Sequence, residues 1–361
     1  MEFRKTCLIV TVAAIAFMYC LGPGAEPGYT EGLRLKMDKI ADVGKNDDLF
    51  HSISSVCEDD DGNFYVLDYK KHRVTKFNSK GEKLSAFGNR GEGPGEFKSP
   101  SRLSFSPGTG VVVTEMMNEA TIFSKEGKAV KKINFAKSLG FLFNIRFIGG
   151  NLFYAEKQGD RDVRHQILMT SEGKPVDSDL FFCAGWTLNL PSGEQYRLSY
   201  KELTPRLVFG CYKSRAVVGR SDQYKVKIID AKGGVINEIR RDVGGGALSE
   251  KEHRLFSQKI KDTKRWPGNV LKAFQKKIPN EKMFFIKLMI TSSHVFVFRI
   301  KKDCSDENSL YPVDVFTHDG TFRGELSLPK LPLLISDRYI YIKEDSDEDE
   351  PLYLSKHGYK L

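Results

Sequence analysis

One four-residue pattern recurs six times along this chain. It appears as Asn78-Ser-Lys-Gly81, Ser124-Lys-Glu-Gly127, Thr170-Ser-Glu-Gly173, Asp230-Ala-Lys-Gly233, Thr317-His-Asp-Gly320 and Ser355-Lys-His-Gly358. Each copy follows a strand-like run, such as Arg73–Phe77 or Val313–Phe316, and all but the last precede another. The glycines lie 46, 46, 60, 87 and 38 residues apart. A period in the forties built from short strands and turns points to propeller blades. The expectation is an all-β fold, a six-bladed β-propeller, with the six copies read as six turns between strands.

The first residues are different in kind. Arg4 and Lys5 precede an uncharged run from Thr6 to Leu21, followed by small residues and prolines. A basic start, a short apolar core and a small-residue exit describe a secretory signal over 1–25. The run is shorter than the roughly 20 residues a spanning helix needs, so a cleaved signal fits better than a permanent signal anchor. Cys20 raises a lipid anchor as a further alternative, but Met18-Tyr19 stands where that motif needs small residues. The expectation is an exported protein, periplasmic or extracellular, monomeric and with no transmembrane span once mature. Of the later cysteines, Cys57, Cys183, Cys211 and Cys304 show no CxxC spacing, and Cys183 with Cys211 is the one pair to test for a bridge.

The propeller is assigned to 31–361. In the first blade Ile53–Cys57, Asn63–Leu67, Arg73–Phe77 and Lys83–Phe87 are four strands, the first two joined by the tight turn Asp59-Asp-Asp-Gly62. The same order returns with decay in five further blades. The sixth lacks an outer strand, while Leu33–Ile40 precedes the first blade without a partner. Pairing the two closes the ring and removes exposed sheet edges.

Two stretches interrupt the period. Phe182–Leu203 reads as a long inter-blade loop. The segment 247–280, between blades 4 and 5, reads as a helical insertion: Ser249-Glu-Lys-Glu252 is a capping box, and Leu255, Phe256, Lys259 and Ile260 give one apolar stripe at helical spacing. Much of the net charge of +9 sits here, with nine Lys/Arg against three carboxylates between Leu248 and Lys277.

Asp61-Gly-Asn-Phe-Tyr-Val-Leu-Asp68 with His72–Phe77 and Gly81 resembles an NHL repeat, as does the glycine-rich link Phe87–Phe97 with Pro100. The match is strong over about 53–105 and weaker beyond. With its signal and insertion, the chain is similar to exported bacterial six-bladed propellers of the NHL/TolB-like type. That resemblance implies that Asp68 and Arg73 brace the blade by hydrogen bonds and ion pairs.

Catalytic motifs are not legible in the sequence. The seven histidines are not spaced as zinc pairs, no Gly-x-Ser-x-Gly nucleophile is present, and Pro351 spoils a calcium reading of Asp345–Glu350. Gly91, Gly93 and Gly95 lack the strand-to-helix setting of a phosphate cradle. No cofactor or metal is predicted. A secretory start argues against nucleic acid as the partner of the basic segment. An acidic protein or an envelope or glycan ligand suits an exported basic face. The reading is a non-enzymatic scaffold with a binding face at Lys70, Arg90, Arg161, Trp186, Arg254, Lys261, Arg265 and Trp266. The alternative is a lyase or hydrolase with a metal-dependent site at the central channel.

Overall fold

The computed structural model describes residues 33–45, 49–159, 163–177, 182–184, 186–189, 194–198, 200–263, 266–344 and 352–361. The signal segment 1–25 and the acidic run 345–350 lie outside the described residues.

Six antiparallel sheets form a ring, each contacting the next through its innermost strand. These inner strands are Ile53–Glu58, Pro100–Ser106, Leu142–Gly149, Leu207–Tyr212, Phe285–Ile290 and Leu334–Ile335. The protein is a six-bladed β-propeller. The last blade is completed by the N-terminal strand Lys36–Val43, which pairs antiparallel with Tyr353–Lys360. The expected closure is therefore present, with the strand a few residues later than the sequence pattern placed it.

Alternation of apolar residues along each strand leaves the core between blades rather than at the centre. Phe64 stacks on Phe77 with ring centroids 5.2 Å apart and also meets Tyr341 of the closing blade. Phe87 of blade 1 meets Phe123 of blade 2 at 4.8 Å. Each such ring contributes about 1.5–3 kcal/mol by leaving water, and the contacts repeat around the ring.

Five of the six glycine patterns are turns. Gly81, Gly127, Gly173, Gly233 and Gly320 all have positive φ, between 75° and 91°. Glycine adopts that conformation without steric cost. In each, the glycine N–H donates to the carbonyl of the first residue of the pattern. In the first four, that residue's side-chain oxygen also accepts from backbone N–H groups two and four residues on.

The sixth pattern is not a turn. Ser355–Gly358 lies inside the strand Tyr353–Lys360 and pairs with Asp42 to Asp38. The reason is topological: the outer strand of this blade comes from the N-terminus, so no hairpin is needed there. Lys356 is instead fully buried between blades, donating to the Ser79 carbonyl at 2.6 Å and lying 3.8 Å from the Tyr339 ring centroid. Burial pushes its ammonium down to about 8.

Strand alternation divides the connections between two faces. Inner strands begin on the face carrying the links between blades, called here the entry face; the glycine turns lie on the opposite, turn face. At the entry end of the second strands, Asp68 accepts from the His51 and Lys71 N–H groups at 2.6 and 3.0 Å. Glu115 does the same for Lys98 and Ser99 at 2.9 and 2.8 Å. Arg73 reaches Asn89 rather than Asp68, so Asp68 braces the blade by hydrogen bonds to backbone. Asp68→Ala is expected to cost about 2–3 kcal/mol, because two hydrogen bonds to a charged group are lost. Urea unfolding checks this, with Asp68→Asn expected to lose less.

The third blade departs from the expected pattern. Its outer edge is split between Pro175–Asp177 and Phe182–Ala184, both paired with Val163–Thr170. The stretch read as a loop also contains a hairpin, Trp186–Asn189 with Gln195–Leu198. The insertion holds the two expected helices, Glu250–Lys261 and Gly268–Gln275, and the capping box at Ser249 and Glu252 is formed.

Candidate functional site

The inner strands surround a cavity of about 390 Å³ to which all six blades contribute lining residues. Its charged lining is one-sided: Arg102, Arg146, Arg206 and Lys287 against a single carboxylate, Glu156. The placement has a local cause. Four inner strands carry a register shift near their entry end, between Ile53/Ser55, Pro100/Arg102, Phe143/Arg146 and Phe285/Lys287. A bulge kinks the strand and re-aims the following side chain. The residues just past it are Ser55, Arg102, Arg146 and Lys287, three of them basic and all lining the cavity.

Among the described residues, none of the four cations forms an ion pair with a carboxylate. Arg102 Nη1 donates to the Ser101 carbonyl at 2.8 Å and Arg146 Nη1 to the Ile145 carbonyl at 3.1 Å. Lys287 Nζ donates to the Pro332 carbonyl. A guanidinium has five donors, so most remain available to the cavity. The groups also repel one another. Arg146, and then burial, hold Arg102 down to about 10, and burial lowers Arg146. Burial, then the charges of Arg102 and Lys201, bring Lys287 down to about 7.

The remaining wall mixes aromatic and aliphatic side chains with Ser54, Ser55 and Asn144. Tyr154 stacks on Phe209 with centroids 4.1 Å apart, and its hydroxyl accepts from Gln166 Nε2 at 2.7 Å. Between blades 4 and 5 the backbones come very close: a Cβ at Gly210 would sit 2.3 Å from the Leu288 carbonyl oxygen. Toward the turn face the ring is bridged by Ser106 Oγ with Ser214 Oγ at 3.3 Å, Lys213 with Asp337 at 3.0 Å, and the Ser292 N–H to Asp337 at 2.7 Å. Cys211 is a free thiol, its Sγ 3.4 Å from the Phe147 carbonyl, and burial raises its pKa.

The two interruptions of the repeat, which follow the outer strands of blades 3 and 4 on the entry face, pack on each other. Ile260, Val270 and Phe274 of the insertion pack with Tyr196 and Tyr200, while Phe256 packs with Leu203 and Cys304. Glu252 is the anchor: its Oε1 accepts from Lys282 Nζ at 2.9 Å and the Cys304 N–H at 2.8 Å, both carboxylate and ammonium being buried.

The residues expected to form one binding face divide. Arg254 and Lys261 are exposed on the first insertion helix, whereas Trp266 is half-buried between Phe274 and Tyr196 as part of the insertion's own core. Trp186 lies in the hairpin whose other strand carries Tyr196, the residue that meets Trp266. Lys70 and Arg90 are exposed but belong to blade 1 and its link to blade 2, across the ring from the insertion. Arg161 and Arg265 lie outside the described residues. Among the described residues, one group of three possible metal ligands converges, Asp59, Asp60 and Asp61. It lies in a turn-face hairpin, where Lys125 pairs with Asp60 and Asp61 at 2.6 and 2.8 Å. No described helix is long and apolar enough to cross a membrane.

By sequence the chain matches no protein-family model and no curated protein. By structure it is similar to a protein from Bacteroides fragilis described as exported, with 10% identity, a TM-score of 0.53, and coverage of 93% of this chain and 98% of that one. A member of the DUF4221 family from Bacteroides vulgatus gives 12% identity, a TM-score of 0.46, and coverage of 91% and 97%. A streptogramin B lyase gives 13%, 0.42, 90% and 98%. At 10% identity the likeness to the Bacteroides fragilis protein shows the fold alone.

Proposed function

We propose that this chain is an exported, non-enzymatic binding propeller that receives its ligand or partner on the entry face. The observation that carries the reading is that both interruptions of the repeat leave from the entry face and pack into one unit there. Loop elaboration on one face of a rigid ring is where binding residues gather, and the blades themselves are occupied with internal bracing. Export rests on the character of residues 1–25, in keeping with the description of the Bacteroides fragilis relative in fold. The basic surface of the insertion suits an acidic protein or an anionic envelope or glycan partner.

Charge reversal tests the reading. Arg254→Glu with Lys261→Glu is expected to reduce capture of the partner from envelope extract at least about tenfold, a loss of roughly 1.4 kcal/mol. Lys80→Glu with Lys232→Glu, on exposed turn-face residues, is expected to leave capture unchanged. Equal capture by all three proteins would overturn the assignment of the face.

A further inference from the structure

We propose that the central cavity holds the oxyanion end of a small ligand, a phosphate, sulfate or carboxylate group, between Arg102, Arg146 and Lys287. The proposal rests on the reading that the entry face is the binding face, and names the chemistry its cavity selects.

Three observations converge on it. First, among the described residues these cations form no ion pair. By contrast, Arg241 joins two blades through an ion pair with buried Asp314 at 2.5 Å. Among the described residues, the direct partners of Arg102, Arg146 and Lys287 are backbone carbonyls. Second, like charges are gathered where they oppose one another, which is unfavourable until a counter-charge enters. Two of the three come from opposite sides of the ring, Arg102 from blade 2 and Lys287 from blade 5, so an anion between them would meet both. Third, the volume and wall suit more than a solvent ion. About 390 Å³ falls within the range of small-molecule sites, and the Tyr154–Phe209 stack with Ile286, Met289 and Leu334 offers apolar surface to the ligand's uncharged body. Guanidinium forks match the planar or tetrahedral oxygens of such groups by paired hydrogen bonds.

Binding is also expected to be linked to protons through Lys287. The ionisable groups sharing its cavity are Arg102, Arg146, Arg206, Glu156, Tyr154 and Cys211, with Lys201 close enough to repel it. An anion stabilises the ammonium, so affinity should rise as pH falls through neutrality and Lys287 becomes charged.

Isothermal titration of the full chain with pyrophosphate, with citrate and with uncharged maltose in low chloride provides the test. Either anion is expected to bind and maltose is not; which anion binds separates phosphate from carboxylate chemistry. Arg102→Gln and Arg146→Gln should each weaken binding at least about tenfold, since hydrogen bonds between charged groups are lost. Lys276→Gln with Lys277→Gln on the insertion should change nothing, and Lys287→Met should reduce the pH dependence to that of the ligand's own ionisation. Thermal unfolding of every variant controls for folding. If Arg146→Gln fails to fold, the solvent-accessible Arg102→Gln and the anion-induced rise in Tm of the wild type decide the matter. Absence of anion binding, or binding indifferent to Arg102→Gln, overturns the proposal. Failure here with partner capture still sensitive to Arg254 and Lys261 leaves the binding face standing. Anion binding with capture insensitive to them removes the face and keeps the cavity.

Discussion

Deleting residues 34–43 is expected to remove most of the stability of the propeller and to turn a discrete species into an aggregating one. The deletion strips the outer strand from the closing blade, leaving Tyr353–Lys360 with a full row of unpaired backbone donors and acceptors. Exposed edges of this kind recruit other chains. The loss reaches inward as well. Val43 is 3% exposed and packs with Phe50, Ile53 and Phe64 at the seam between the closing blade and blade 1. Val43 and Ala41 also lie against Gly81 of the neighbouring blade. A stabilisation of about 5 kcal/mol or more is at stake, comparable with the whole net stability of many domains. Size-exclusion chromatography and thermal unfolding check it, with a synthetic peptide spanning 34–43 expected to restore the intact profile in part. A truncated protein that elutes and melts like the full chain would show that the ring closes without this strand.

Glu252→Ala is expected to cost about 3–5 kcal/mol, because it leaves the Lys282 ammonium buried without its partner. It also removes the acceptor of the Ser249 and Cys304 N–H groups. The effect should be local first: the insertion undocks while the blades hold. Trp266, one of two tryptophans, packs on Phe274 and Tyr196 within the insertion, so its fluorescence should shift at lower denaturant than far-UV circular dichroism. Glu252→Gln with Lys282→Met, which removes both charges, should recover much of the loss. The same pair gives an acid signature. Burial opposes ionisation of Glu252, but the Cys304 N–H, Lys282 and the Ser249 N–H outweigh it and hold the pKa at about 2, below the ordinary 4.5. The unfolded chain therefore binds the extra proton between these values, and stability rises with pH there. The contribution is complete above about 4.5 and disappears as pH falls toward 2. Glu252→Gln should flatten that part of the stability curve; an unchanged slope would remove the carboxylate from the account.

Much of the fold was legible because it rests on local chemistry. A glycine with a hydrogen-bonding residue three positions before it forms a turn in five of its six occurrences here, and Ser249 with Glu252 specifies a helix start. The orphan strand near Leu33 was legible for a different reason: a propeller cannot leave an edge open. Ser355–Gly358 misled because its composition is that of a turn, and only the topology of the last blade makes it a strand.

The cavity was hidden for the opposite reason. Arg102, Arg146 and Lys287 lie in three blades, each in a segment that reads as ordinary strand alternation, and the bulge that turns them inward leaves no composition of its own. A trace did exist: Arg102-Leu103, Arg146-Phe147 and Lys287-Leu288 each place a basic residue before an apolar one near the start of an inner strand. Superposing the inner strands, rather than searching the loops, would have exposed it.

The bulges have a mechanical meaning too. A ring of blades resists stretching around its circumference through the closing strand, while the described side-chain bridges between non-adjacent blades, such as Ser106 with Ser214 and Lys213 with Asp337, lie toward the turn face. Side chains delivered from opposite blades to one anion would act as spokes, so that filling the hub would tension the whole wheel. Ligand occupancy would then be felt at every seam between blades, including the one sealed by the chain's first strand.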